Sequence, residues 1–280
     1  GFKGKYINTP KIKLLEYRKN FRSWKMEGIN CGNPEFEKIA VDLIPKLMPK
    51  SFLEGFNECN SKTNKSINKS NVFFTSISHY HDDIFCCSIM NKINCGASLV
   101  VGQHGGGAFY SYCGATEVDL EIADKYLFPG NGIKGNNIKD VGQIFNHQKY
   151  NTYDKSGSAL LVTYTIPRYS FDLRSMVISG QMTEYFEDQF AFYEALTDDI
   201  KNNICVRLHP LDDGWEHKLR WNDRFNNIKF DANRKMDSSI NKSRLIIGTY
   251  AATTYNKTLA SNIPTIIYWD DYYWELSEES

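Results

Sequence analysis

The sequence predicts an α/β protein of two Rossmann-like domains, each built on a parallel sheet, and three observations carry that prediction. The chain has 280 residues, too many for one small core and comfortable for two α/β domains of about 120 to 150 residues each. Short apolar runs alternate with amphipathic stretches in both halves, as parallel βαβ units require. Each apolar run also ends in a polar or glycine-containing loop, and open parallel sheets bind ligands at the carboxyl ends of their strands.

The elements are read in chain order. "NPEFEKIAVDLIPKLMPKSFLEGF" reads as a helix, and the low-complexity "NECNSKTNKSINKSN" after it, with little to bury, as a surface loop. "NVFFTSIS" is a buried strand, "HDDIFCCSIMNKINCG" a helix ending at Gly96, and "ASLVVGQHGGG" a second buried strand entering glycines. "GATEVDLEIADKY" has helical spacing, which Pro and Gly break in "YLFPGNGIKGNN". "KYNTYDKSGS" reads as the linker, giving domains 1–152 and 153–280. The second half repeats the pattern: strand "ALLVTYTIP", helix "QMTEYFEDQFAFYEALTDDIKNN", strand "ICVRLHP", strand "RLIIGTY", helix "ATTYNKTLASN" and strand "IPTIIYWD".

Composition narrows the function. Thirty-three basic and 33 acidic residues cancel, so nucleic acid is not an expected partner and membrane association is at most peripheral. The seven cysteines show no C-x-x-C ligand spacing; neither a metal site nor a disulfide framework is expected, and reduced thiols fit a cytoplasmic protein. No apolar run approaches the roughly 20 residues that span a bilayer. No cofactor is expected either.

Four constellations carry chemistry. In "GQHGGG", Gly102, Gly105, Gly106 and Gly107 let the backbone approach a ligand, and His104 stands as a base or an anion donor, the plain alternative being a turn that His104 caps. Glu117, Asp119, Glu121 and Asp124 crowd one stretch, with Glu117, Glu121 and Asp124 on one helical face at spacings of four and three; a carboxylate so crowded suits a general base, and a solvated face is the alternative. "VRLHP" delivers Arg207 and His209 on alternate positions of a strand, so that both could meet a phosphate. "GTYAATTYNKTL" opens a helix with Thr253 and Thr254, whose hydroxyls suit a phosphate or serve as ordinary caps. Arg168 in "IPRYS" could clamp an anion, and Trp269 and Trp274 offer stacking surfaces.

Taken together, "FTSISHYHDD", "GQHGGG", "PRYS", "SGQ", "VRLHP", "GW", "SRLIIGTYAATTYNKTLASNIPTIIYWD" and "YWEL" resemble the transferases of bacterial surface-polysaccharide and O-antigen gene clusters, from about Asn71 to Leu276. The resemblance implies a GT-B glycosyltransferase fold, two Rossmann-like domains whose sheets face across a cleft. "VRLHP" is similar to the His-Pro motif of transferases that use CMP-linked nonulosonic acids, in which the histidine contacts the donor phosphate and a Ser/Thr pair supports it; His209, Thr253 and Thr254 match by type and order. The same resemblance implies a metal-independent cytoplasmic enzyme, at the inner face of the membrane, moving a sugar from a nucleotide-sugar donor to a glycan or lipid-linked glycan acceptor in O-antigen, lipopolysaccharide or capsule synthesis. Arg168, Arg207, His209, Thr253 and Thr254 would hold the donor, and His104, Glu117 or Glu121 would take the acceptor proton. Relatives carry a glutamate where this chain has Lys257, and they extend further at both ends, so the fold is expected to be truncated there. A sugar-nucleotide epimerase and a non-catalytic glycan-binding subunit are the alternative readings.

Overall fold

The structure is a computed structural model that describes residues 16–27, 30, 32–63, 70–105, 115–130, 134–142, 154–170, 176–251 and 253–275. Backbone proximity divides the chain into two units, one of Gly1–His104, Asp119–Phe128 and Ile133–Lys139, the other of Gly105–Val118, Pro129–Gly132 and Asp140–Ser280. Each contains an α/β sheet of four strands.

The first unit opens with α1 (Pro34–Leu47). Asn33 caps it by accepting the Phe36 N–H at 3.1 Å, Pro34 occupies the first helical position, and Glu35 and Glu37 face the positive end of the dipole. The helix stops where Met48, before Pro49, turns extended at ψ 132°. Arg22 reaches back to the carbonyls of Lys46 and Met48, each at 2.8 Å, and pairs with Glu54. Next come α2 (Phe56–Thr63), β1 (Val72–Thr75), α3 (Ser78–His81) and α4 (Asp83–Asn94), then β2 (Ser98–Gly102), α5 (Ala115–Ile122), β3 (Lys125–Phe128) and β4 (Ile138–Asp140).

The strands of this sheet lie in chain order, β1-β2-β3-β4, with β1–β2 and β2–β3 parallel. Right-handed crossovers between sequential neighbours carry their helices to one face. The burial agrees: Phe73, Leu99, Val101 and Tyr126, which share one face by register, are buried, while Val72 and Phe74 on the other are 53% and 51% exposed.

The second unit contains β5 (Ser158–Val162), α6 (Met182–Glu194), α7 (Asp198–Asn202), β6 (Ile204–Arg207), α8 (His217–Arg224), α9 (Met236–Asn241), β7 (Ser243–Gly248), α10 (Thr253–Ala260) and β8 (Thr265–Ile267). The order is β6-β5-β7-β8 and every pair is parallel. Because β6 and β7 flank β5 on opposite sides, the connections cover both faces. Ala159 and Leu161 accordingly join one core with Val206, Ile247, Phe186, Phe190 and Trp221, while Leu160 and Val162 join another with Ile240, Ile246 and Ile263.

Several expectations are corrected. The stretch read as one helix ends at Leu47, and the tract read as surface loop contains α2. "KYLF", assigned to the end of a helix and the break after it, is β3, and β4 comes next where no strand was expected. The long helix after β5 is interrupted at Thr197, which is extended at φ −68°, ψ 158°, and resumes as α7. Helices α8 and α9 fill a stretch to which no element was assigned. Asp124 lies beyond the end of α5, where its carboxylate accepts the Leu99 N–H at 2.8 Å. Among the described residues no helix is long and apolar enough to cross a membrane.

Candidate functional site

In a parallel sheet whose strand order reverses, the loops diverge on either side of the reversal and leave room for a ligand at the carboxyl edge. In the second unit that point lies between β5 and β7. The tips of β6 and β7, two inter-strand spacings apart across β5, are separated by about 10 Å. Four of the five donor-side residues named from the sequence emerge after β5, β6 or β7; Arg207 is the last residue of β6.

His209 is exposed two residues past β6, with Nδ1 at 3.3 Å from both the backbone N and the backbone O of Leu211, so the ring's other nitrogen, Nε2, is the one available to a ligand. Thr253 opens α10 and is exposed; Thr254 bonds the Tyr250 hydroxyl. Gly105, which clusters with this unit, sits at φ +75°, and a Cβ there would come within 2.8 Å of Thr253 Oγ1. The positive φ favours glycine, and any larger residue would also have to displace the Thr253 hydroxyl. Arg168 donates to the Gly214 carbonyl at 3.3 Å, and its guanidinium lies 5.5 Å from the Trp215 ring and 5.8 Å from Tyr169.

Arg207 turns inward. Its guanidinium pairs with Asp231 and donates to the Asn233 carbonyl at 2.8 Å and Ser239 Oγ at 3.0 Å, and Ser239 Oγ in turn donates to Asp231 at 2.5 Å. The hydroxyl and backbone bonds, with Arg207, hold the Asp231 carboxyl below the usual carboxylate range against the upward push of its burial. Burial raises the Tyr250 phenol, against the smaller opposing effects of the Thr254 hydrogen bond and the Arg207 charge. The alternation that suggested a shared ligand for Arg207 and His209 thus leaves Arg207 bound to protein groups. Lys257 pairs with Asp237, and Trp274 is buried in the core beside Trp269, with ring centroids 5.9 Å apart.

Two residues of this edge, Tyr185 and His217, escaped the sequence reading. The Tyr185 hydroxyl sits 2.5 Å from Thr249 Oγ1 and accepts the Tyr164 N–H at 2.8 Å. His217, at the start of α8, is buried with Nε2 at 3.0 Å from Thr165 Oγ1, and burial lowers its pKa more than nearby Asp212 raises it. Their side-chain partners, Thr249 and Thr165, lie 64 and 52 positions away in the chain, beyond any motif window.

On the other side of the candidate chemistry, His104 is exposed directly past β2, and Glu117 and Glu121 are exposed on α5. Gly102 closes β2 and is buried, while Gly106 and Gly107 lie outside the described residues. The buried acid of α5 is Asp119. His79 Nε2 lies 2.6 Å from its Oδ1, and the Tyr80 hydroxyl donates to the same oxygen at 2.5 Å. His79 and Tyr80 stand in "SISHYH" just after β1, a histidine at a strand's carboxyl end like His104, and that position was the available signal. Among the described residues no group of three or more His, Cys, Asp or Glu side chains could hold a metal ion.

Compared with known protein families, residues 4–280 match the model described as "LIC12162 family transferase". No curated protein matches the chain.

Proposed function

The chain belongs to the LIC12162 family of transferases, and from that premise we propose that it is a GT-B glycosyltransferase of cell-surface polysaccharide synthesis. It takes a sugar from a nucleotide-activated donor, a CMP-linked nonulosonic acid in the sharpest form of the reading, and passes it to a glycan or lipid-linked glycan acceptor. The observation that carries the reading is the second sheet's reversal, with His209 after β6 and Thr253 and Thr254 after β7 leaving one edge on either side of β5.

The chemistry needed there is stabilisation of charge on a departing phosphate. His209 Nε2, the Thr253 hydroxyl and the N–H groups at the start of α10 are donors suited to that charge. Arg168, exposed and held by its ring contacts, adds a cation. Arg207 contributes from behind, fixing the end of β6 through Asp231. The acceptor hydroxyl loses its proton to a group beyond β2 or on α5, with His104, Glu117 and Glu121 as the exposed candidates.

Incubation of the chain with CMP-, UDP- and GDP-sugars and glycan acceptors tests the proposal. Transfer from a CMP donor, cut about 10²- to 10³-fold by His209→Ala, is the expected result. Undiminished transfer by that variant would refute the phosphate assignment, and isomerised sugar without transfer would refute the transferase.

A further inference from the structure

His79 and Asp119 come from elements that follow adjacent parallel strands. His79 lies on α3, just past β1, and Asp119 on α5, after β2, so both stand at the carboxyl edge of the first sheet. Their side chains are 5% and 9% exposed. Asp119 Oδ1 faces two groups, His79 Nε2 at 2.6 Å and the Tyr80 hydroxyl at 2.5 Å. The tautomer that donates to this oxygen carries its proton on Nε2 and leaves Nδ1 with its lone pair. Nδ1 is buried and has no hydrogen-bond partner.

A histidine serving only to tie α3 to α5 needs one ring nitrogen. Here the second is a desolvated acceptor, which costs the fold stability until an O–H donates to it. The partner it lacks is a donor, such as the O–H of a group seated at this edge. The arrangement, carboxylate to imidazole to an open lone pair, is that of an oriented general base. Glu117 and Glu121, exposed on α5, have no such orientation.

We infer that His79, oriented by Asp119, is the base that receives the acceptor hydroxyl's proton; the inference rests on the glycosyltransferase reading above. In the step, the acceptor O–H bond breaks and its proton goes to His79 Nδ1. The freed oxygen pair forms the bond to the anomeric carbon of the nucleotide sugar, and the bond from that carbon to the phosphate oxygen breaks, its electrons leaving with the nucleotide. The imidazolium, its charge balanced by Asp119, returns the proton to solvent afterwards. His79 is the catalytic residue and Asp119 a positioning residue.

The test uses the whole chain with CMP-N-acetylneuraminate, UDP-N-acetylglucosamine and GDP-mannose as donors and a panel of methyl glycosides as acceptors. With the donor that reacts, His79→Gln is expected to lower kcat about 10²- to 10⁴-fold while donor KM and thermal midpoint stay put, and Asp119→Asn to lower kcat without moving donor KM. Wild-type kcat in His79→Gln overturns this inference alone. A wild type that transfers from none of these donors overturns the glycosyltransferase reading and the inference with it. Nitrogen NMR of the wild-type imidazole, which does not depend on any variant folding, should show the proton on Nε2 and a bare Nδ1; the reverse tautomer overturns the assignment.

Discussion

The two sheets differ in how they are wound, and the difference decides what each can do. In the first, β1 to β4 lie in chain order, the crossovers go to one side, and Val72 and Phe74 face outward. In the second, β5 lies inside β6 and β7, both of its faces are covered, and its residues divide alternately between two cores. Of the two, the second has the order reversal, and so it alone creates a crevice by topology among the described strands. The first makes its chemistry from a side-chain pair, His79 and Asp119. Among the described residues each unit also buries one histidine with an unpartnered Nδ1, but His79 faces a carboxylate and His217 a hydroxyl. A carboxylate can balance the charge of a proton taken up; a threonine hydroxyl cannot.

The largest stability effect that would break this contrast is expected at Arg207. Arg207→Ala leaves Asp231 charged and buried, which should cost about 3–5 kcal/mol. Urea unfolding followed by tryptophan fluorescence reads it, since Trp215, Trp221, Trp269 and Trp274 all belong to the second unit. A loss no larger than that of an ordinary surface change would show that Arg207 is free to serve a ligand.

Next in size is a comparison within β1. Phe73 is 3% exposed and Phe74 51%. Phe73→Ala should cost about 3 kcal/mol or more, and Phe74→Ala about 0.5 kcal/mol or less. Equal costs by denaturant unfolding would mean that the second face of the first sheet is covered after all.

The smallest effect is a pH dependence at His217. Its folded pKa is lowered, mainly by burial, so as pH falls below about 6.5 the unfolded chain protonates first and stability declines until the folded pKa is reached. Above that range the group contributes nothing. His217→Asn should flatten the fall in thermal midpoint between about pH 7 and pH 5, while losses from Asp212 and Asp231, whose pKa values are lowered, belong to more acid conditions. An unchanged slope would show that His217 is not buried neutral.

How much of this was legible in the sequence depends on the range of the forces involved. Strands β1, β2, β5, β6 and β7 announce themselves as apolar runs because their packing leaves few polar positions. β3 did not: four residues set against the end of α5, with only Ala123 and Asp124 between, cannot be separated from a helical period. In the second unit, the sequence put His209, Thr253 and Thr254 just past strand ends, where the structure has them, since strand-to-loop boundaries are local. It misjudged Arg207, whose fate is set by Asp231, 24 residues on. Asp119 was hidden because a string of acids on α5 does not say which one turns inward, and its partner His79 lies 40 residues away.

The most direct measurement is a structure of the chain soaked with CMP. The phosphate is expected within about 3 Å of His209 Nε2 and Thr253 Oγ1, at the carboxyl edge between β5 and β7. A phosphate bound away from both groups, with His209 left in solvent, would contradict the donor site proposed for this sheet.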